Sequence, residues 1–158
     1  QHELDARIID IIARQQPVAS DLRALITALR MSADLERMGD LAHHVAKIVR
    51  LRHPEPAVPD AVVHLVEAMG VAAEKIATKT GVVISTRDTV MAAQVEKDDD
   101  EMDLLHRQLI SALIAPSWEH GVETAIDLTL LGRYYERYAD HAVSVSRRVI
   151  FLVTGKFA

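Results

Sequence analysis

Two pairs of carboxylates, Glu36 with Asp40 and Glu136 with Asp140, carry the same spacing and the same internal arginine, Glu-Arg-x-x-Asp. On a helix, residues four apart lie one turn apart on one face. Like charges so placed cost a few tenths of a kcal/mol unless something neutralises them. Arg37 and Arg137 each stand three residues before the aspartate and can help. One such pair reads as a solvated, arginine-balanced face. Two matched copies point to a site, because carboxylates on adjacent turns offer hard oxygen ligands at bridging distance, suited to Mg²⁺, Mn²⁺ or iron. Asp34 lies within a turn and adds a weaker candidate ligand. His43 and His44 offer nitrogen, though histidines near a helix C-terminus are more simply dipole partners.

These pairs need helices to present them. Five prolines divide the chain: Pro17, Pro54, Pro56, Pro59 and Pro116. Three fall within residues 52–59, where closely spaced prolines cannot continue a helix, so that stretch is a linker. Pro17 and Pro116 mark breaks between helical stretches. The pattern predicts helices over roughly 2–15, 18–51, 58–85, 88–114 and 118–153. Gly81 interrupts the third. Asp88 is the N-cap expected for the fourth.

The chain also repeats. A shift of 100 residues brings Ile26 onto Ile126, Glu36-Arg37 onto Glu136-Arg137, and Asp40 onto Asp140. Ala42, Val45 and Val49 fall on Ala142, Val145 and Val149. With Leu22 at about 0° on the helical wheel, Glu36 and Asp40 fall near 320° and 0°, while Leu41, Val45 and Val49 lie between about 100° and 220°. The second copy behaves alike. Each long helix therefore changes its apolar face midway and sets an acid pair where the first stripe would have continued. The expected organisation is a first repeat over 1–52, a Pro-rich linker over 53–59, and a second repeat over 60–158.

Composition agrees with helices. Of 158 residues, 49% are hydrophobic and 26% charged, enough to bury a core, while aromatics are 4% and few β-formers cluster. Cysteine is absent, which excludes disulfides, zinc ribbons, iron–sulfur clusters and cysteine nucleophiles. The net charge of −5 argues against nucleic acid as a partner. No apolar run approaches the ~20 residues that span a bilayer, and no signal-peptide pattern opens the chain. A cytoplasmic location without membrane insertion is expected.

The segments Asp34-Leu35-Glu36-Arg37-Met38-Gly39-Asp40-Leu41-Ala42 and Tyr135-Glu136-Arg137-Tyr138-Ala139-Asp140-His141-Ala142 resemble the twin E(D)xxxD motifs of the PhoU family of phosphate-system regulators, its actinobacterial PhoY-type members included. Pro17 to Arg23 resembles the start of that family's third helix, and the likeness continues through Arg147-Arg148-Val149-Ile150-Phe151. The resemblance implies an all-α fold of two tandem antiparallel three-helix bundles, the first incomplete. It implies metal clusters, of Mg, Mn, Fe or Zn, on a carboxylate-rich surface. Glu36 and Asp40 would serve the first cluster, Glu136 and Asp140 the second, with Asp34 an addition. It implies no catalysis. It implies the role of a negative regulator of phosphate uptake and of the phosphate-starvation response, an adaptor between the phosphate transporter ATPase and its sensor histidine kinase, with a homo-oligomer expected.

By the same resemblance, roughly 50 residues of a full-length protein would precede Gln1, so that the chain starts within a second helix. An uncovered apolar groove in the first bundle is then expected. Where many relatives carry Asn four residues after the first aspartate, this chain has His44, with Ser144 as its counterpart.

Other features carry plainer readings. Asp98-Asp99-Asp100-Glu101 with Asp103 could form a metal site, but the plainer expectation is a solvated face, since Met102, Leu105, Leu109 and Leu113 supply the apolar stripe. Tyr134, Tyr135 and Tyr138 are packing residues, Trp118 anchors the last helix, and Arg147 and Arg148 are helix C-terminal charges. No nucleophile elbow, Walker or Rossmann pattern occurs. A carboxylate-bridged di-metal enzyme is the alternative. It would require four helices aimed at one site, whereas these pairs lie about 100 residues apart in two repeats. A purely structural helical dimer without metal is the third reading.

Overall fold

A computed structural model describes residues 2–156. They form five α-helices and no strand: α1 His2–Gln15, α2 Ala19–Arg52, α3 Asp60–Thr86, α4 Thr89–Leu113 and α5 Gly121–Thr154. The elements match the expected five. α5 starts three residues later than the pattern suggested. Residues 115–120 instead make a tight turn, in which the Trp118 N–H donates to the Ala115 carbonyl at 3.0 Å and the indole N–H to the Gly121 carbonyl at 2.9 Å. Trp118 thereby anchors the start of α5, as expected. Gly81 does not break α3, which runs through it without interruption.

Local chemistry sets the ends. The Asp88 carboxylate accepts from the backbone N–H groups of Val90 at 2.8 Å and Met91 at 3.0 Å, capping α4 where an uncapped helix would leave those donors unpaired. Gly155 ends α5 in the left-handed region, with φ 73°, and its N–H returns to the Phe151 carbonyl at 2.9 Å. A Cβ there would meet only the guanidinium end of Arg23, a flexible side chain that can move aside, so it is the left-handed conformation that asks for glycine.

α5 is the centre of the molecule and packs on α2, α3 and α4; α3 and α4 pack on each other. Among the described residues α1 packs on α2 alone. The core follows from this arrangement. Met69 and Ile76 of α3, Met102 and Leu109 of α4, and Leu128 and Val145 of α5 are fully buried. Each such side chain contributes roughly 1.5–3 kcal/mol of transfer free energy. The first half supplies fewer: Ile8, Met38, Leu41 and Ile48. The repeated positions show the difference. Val149 is 1% exposed, whereas its counterpart Val49 is 53% exposed. The same residue type on the same wheel position is buried on α5 and open on α2 because only α5 is covered on three sides. The first half carries a shallow hollow lined by Leu4, Ala28, Met31 and Leu35, with Ser32 and Glu36 beside them.

Candidate functional site

The two acid pairs occupy unlike surroundings. On α2, Glu36 and Asp40 are both exposed; Asp40 pairs loosely with Arg37 at 3.6 Å, and Glu36 edges the apolar hollow beside Leu4. On α5, Arg133 donates to both oxygens of Glu136 at 2.6 Å, and Arg137 to Asp140 at 2.8 Å. Glu136 is the most covered of the four, its side chain 15% exposed, because α4 lies alongside. The expected help from Arg37 and Arg137 is therefore present in both copies. No hydrogen bond or ion pair among the described residues joins one acid pair to the other.

Asp34 has a different place. It faces α5 across the helix contact. His141 Nδ1 lies 3.0 Å from Oδ1, while the Ser144 hydroxyl at 3.0 Å and Arg148 Nε at 2.8 Å donate to Oδ2. Burial alone would raise its pKa; hydrogen bonds from Arg148, His141 and Ser144 outweigh burial and hold the carboxyl below its usual range. Both oxygens are thus engaged by α5. Ser144, whose proton goes to Asp34, is not activated by His141, so these three residues form a clamp and not a nucleophilic triad.

The α4 acid run is not a uniformly solvated face. Asp98 is buried and pairs with Lys79 of α3, with Lys75 at 3.5 Å; these bonds, with Gln94, overcome burial and hold its pKa down. Asp99 turns toward α5. Its Oδ1 is buried without a hydrogen-bond partner. Burial first, and then the charges of Asp103, Asp140, Glu136 and Asp100, push its pKa up to about 6. The structure therefore brings Glu136 and Asp140 beside Asp99 and Asp103, a grouping the sequence reading had not made. One signal was available: Asp99 and Asp103 share the four-residue spacing of Glu136 and Asp140. No three described His, Asp or Glu side chains stand in a ready metal-binding arrangement. The crowding does leave a repulsion that a divalent cation would relieve, and the donor set, all carboxylate oxygen, is the kind such ions take.

Beside this cluster, α2, α4 and α5 enclose an open cavity of about 420 Å³. Asp99, Asp100, Asp140 and Glu96 line it, together with Arg30, Arg147 and Arg148. Arg147 pairs with Glu96 on α4, and Arg148 with Asp34 on α2. Neither is a simple helix-end charge: each ties α5 to a different neighbour. Elsewhere Tyr134, Tyr135 and Tyr138 pack against the core, as expected, and Tyr134 stacks on His44 with ring centres 5.1 Å apart. No helix among the described residues is long and apolar enough to cross a membrane.

Comparison with known proteins places this arrangement. The PhoU domain model matches residues 1–49 and 66–149. The chain is 50% identical over 147 residues to the phosphate-specific transport system accessory protein PhoU homolog 2 of Mycobacterium tuberculosis, covering 93% of this chain and 69% of that relative. Among solved structures it is similar to PhoU from Pseudomonas aeruginosa, with a TM-score of 0.81, 28% identity, and coverage of 98% of this chain and 80% of the other. PhoU from Streptococcus pneumoniae shares the fold with a TM-score of 0.84 at 22% identity, over 98% of this chain and 72% of that one. The chain belongs to the PhoU family.

Proposed function

We propose that this chain is a non-enzymatic, cytoplasmic accessory of the phosphate transport system that represses uptake and the phosphate-starvation response when phosphate is plentiful. It acts as an adaptor that docks on the transporter ATPase and on the sensor histidine kinase, as a homo-oligomer. The observation that carries this reading is the 50% identity to a relative named as an accessory of phosphate-specific transport. The grouping of Asp34, His141 and Ser144 in this chain is a structural clamp, which agrees with docking in place of catalysis.

The adaptor carries metal on its carboxylates. Glu136 and Asp140, joined by Asp99 and Asp103, hold one divalent ion or cluster, of Mg, Mn, Fe or Zn. Glu36 and Asp40 hold its counterpart in the first half. Asp34 is left out because three donors of α5 already occupy its oxygens. The unpartnered Asp99 oxygen and the raised Asp99 pKa support the second-half site, since uncompensated carboxylates so close favour a cation among them.

Two measurements test the reading. Elemental analysis of protein purified without chelator should find bound metal that drops at least severalfold in the Glu136→Ala, Asp140→Ala double variant. Background metal in both forms would remove the metal reading. In cells, deleting the gene should raise phosphate-starvation transcripts in high phosphate, and unchanged transcripts would remove the regulatory one.

A further inference from the structure

The long helices of the two repeats, α2 and α5, pack antiparallel, and the repeat relates the two ends of their contact. At one end the Ser144 hydroxyl lies 3.0 Å from Asp34 Oδ2. At the other the His44 ring stacks on Tyr134 with centres 5.1 Å apart. A shift of 100 residues carries Asp34 onto Tyr134 and His44 onto Ser144, so it exchanges one pair for the other. An approximate two-fold axis therefore relates α2 to α5. The same two-fold would let a helix pack on its own copy from a second chain, α2 on α2 or α5 on α5, as an isologous contact.

The polar side chains do not obey that two-fold. Around Asp34, α5 presents Arg148 at 2.8 Å, with His141 and Ser144 at 3.0 Å. Their copies on α2 are Ile48, Leu41 and His44. In an α2–α2 pairing Asp34 would face those three, with one imidazole where α5 offers a guanidinium, an imidazole and a hydroxyl. The Asp34 side chain is 13% exposed, and a covered carboxylate that loses its cation is costly. Arg52 repeats the pattern. It binds Asp127 at 2.5 Å and Glu123 at 2.9 Å, whose copies on α2 are Thr27 and Arg23. An α2–α2 pairing would set Arg52 toward an arginine. In the actual contact Arg23 lies over the Phe151 ring, 5.9 Å from its centre. An α5–α5 pairing fails in the complementary way. Arg148 would meet Tyr134 in place of Asp34, and Asp127 and Glu123 would meet Leu152, the copy of Arg52.

We propose that these side chains are a pairing code between the repeats. They make α2 accept α5 and refuse a second α2, and make α5 refuse a second α5, so copies of this chain do not join through the duplicated face. The code combines attraction in the right pair with stranded or like charges in the wrong ones. It selects the type of helix, so an α2–α5 contact exchanged between two chains satisfies it as well. It needs no metal and is independent of the adaptor reading.

The test uses the whole chain with a Gly39→Cys reporter, which carries the sole thiol because the sequence has no cysteine. Gly39 is exposed, nothing lies within 4 Å of an added Cβ, and position 39 is midway between 34 and 44, hence near the two-fold. In an α2–α2 dimer the two thiols face each other across helices about 8–10 Å apart. In an exchanged α2–α5 dimer they lie on separate contacts. The protein is unfolded in urea, refolded at high concentration so that chains compete for partners, and treated with a short bismaleimide. Denaturing electrophoresis then counts linked dimers. The reporter alone should stay at background. Adding Asp34→Leu with Arg52→Leu should raise linked dimer severalfold. The milder Asp34→Asn with Arg52→Gln, which keeps side-chain volume, should raise it in the same direction and decides the matter if the leucine pair gives no cooperative melt. Leu41→Ala in the reporter loosens the same contact without touching its charges and should stay at background. Background dimer in the charge-removing variants would overturn the proposal. So would as much dimer from Leu41→Ala, because loosening alone would then suffice, or abundant linked dimer from the reporter alone.

Discussion

At the scale of single residues, the acids of this chain separate by what surrounds them. Asp34 and Asp40 sit six positions apart on one helix, yet the first accepts from three donors of α5 and the second only faces Arg37 at 3.6 Å. Exposed pairs contribute little, so Asp40→Ala should change stability by under about 0.5 kcal/mol. Asp34→Ala strands donors at a helix contact and should cost about 2 kcal/mol in urea unfolding at pH 7. The sign of its pH dependence follows from its lowered pKa. Its stabilisation is present above the unfolded value near 3.8 and is lost as pH falls through the folded one. The gap between wild type and Asp34→Ala should therefore narrow in unfolding measured below pH 4. Asp99 runs the other way. Its pKa is raised to about 6, so in metal-free protein its ionisation opposes folding. That cost is absent below about 3.8 and complete above 6. Asp99→Asn should raise the melting temperature in chelator at pH 7.5, and the gain should vanish near pH 4. A gain that persists at pH 4 would assign the effect to packing. The residue types and their spacing made these acids visible in the sequence; their opposite shifts depend on α5, which no local pattern identifies.

At the scale of helices, close approach and open faces make unlike demands on glycine. Gly132 sits where α5 presses on α4: a Cβ there would lie 2.9 Å from Leu109 Cδ2 and 3.1 Å from the His106 ring. Leu109 is fully buried and has little room to yield. Gly132→Ala should cost about 1–2 kcal/mol, overpacking outweighing the gain in helix propensity. At Gly39 nothing lies within 4 Å of the added atom. Gly39→Ala should stabilise by about 0.5–1 kcal/mol, since only the propensity term remains. Thermal unfolding of the two variants side by side decides it, and opposite signs are the expected result. The proline breaks and the Asp88 cap were readable because they are local chemistry. The role of Arg147 and Arg148 was not, because each pairs with a helix far away in sequence: Arg147 with Glu96 on α4, Arg148 with Asp34 on α2. The acid run on α4 was misread for the same reason. Asp98 is buried because Lys79 and Lys75 of α3 stand opposite it.

At the scale of the whole molecule, stability is unevenly spread. Among the described residues α5 is surrounded by three helices, whereas α1 touches one and buries a single residue, Ile8. Local opening follows the number of buried apolar contacts. Hydrogen exchange should therefore show α1 amides opening at a small fraction of the global unfolding free energy, and the centre of α5, around Ala139 and Ala142, at nearly all of it. Uniform protection across the five helices would contradict this picture. The polar cavity lies where α2 meets the α4–α5 pair, the contact clamped by Asp34.

The sequence by itself determined the five helices, the repeat and the twin acid pairs, because proline breaks, apolar periodicity and four-residue spacing are local properties that any helix must express. It also carried the resemblance to the PhoU family, which the family match and the solved structures bear out. Tertiary structure alone decided that the two copies are not equivalent. Position 149 is buried and position 49 open, Glu136 is covered and Glu36 bare, and Asp34 belongs to a clamp. Burial and charge compensation depend on which helix lies opposite, and that partner is fixed by long-range packing around α5.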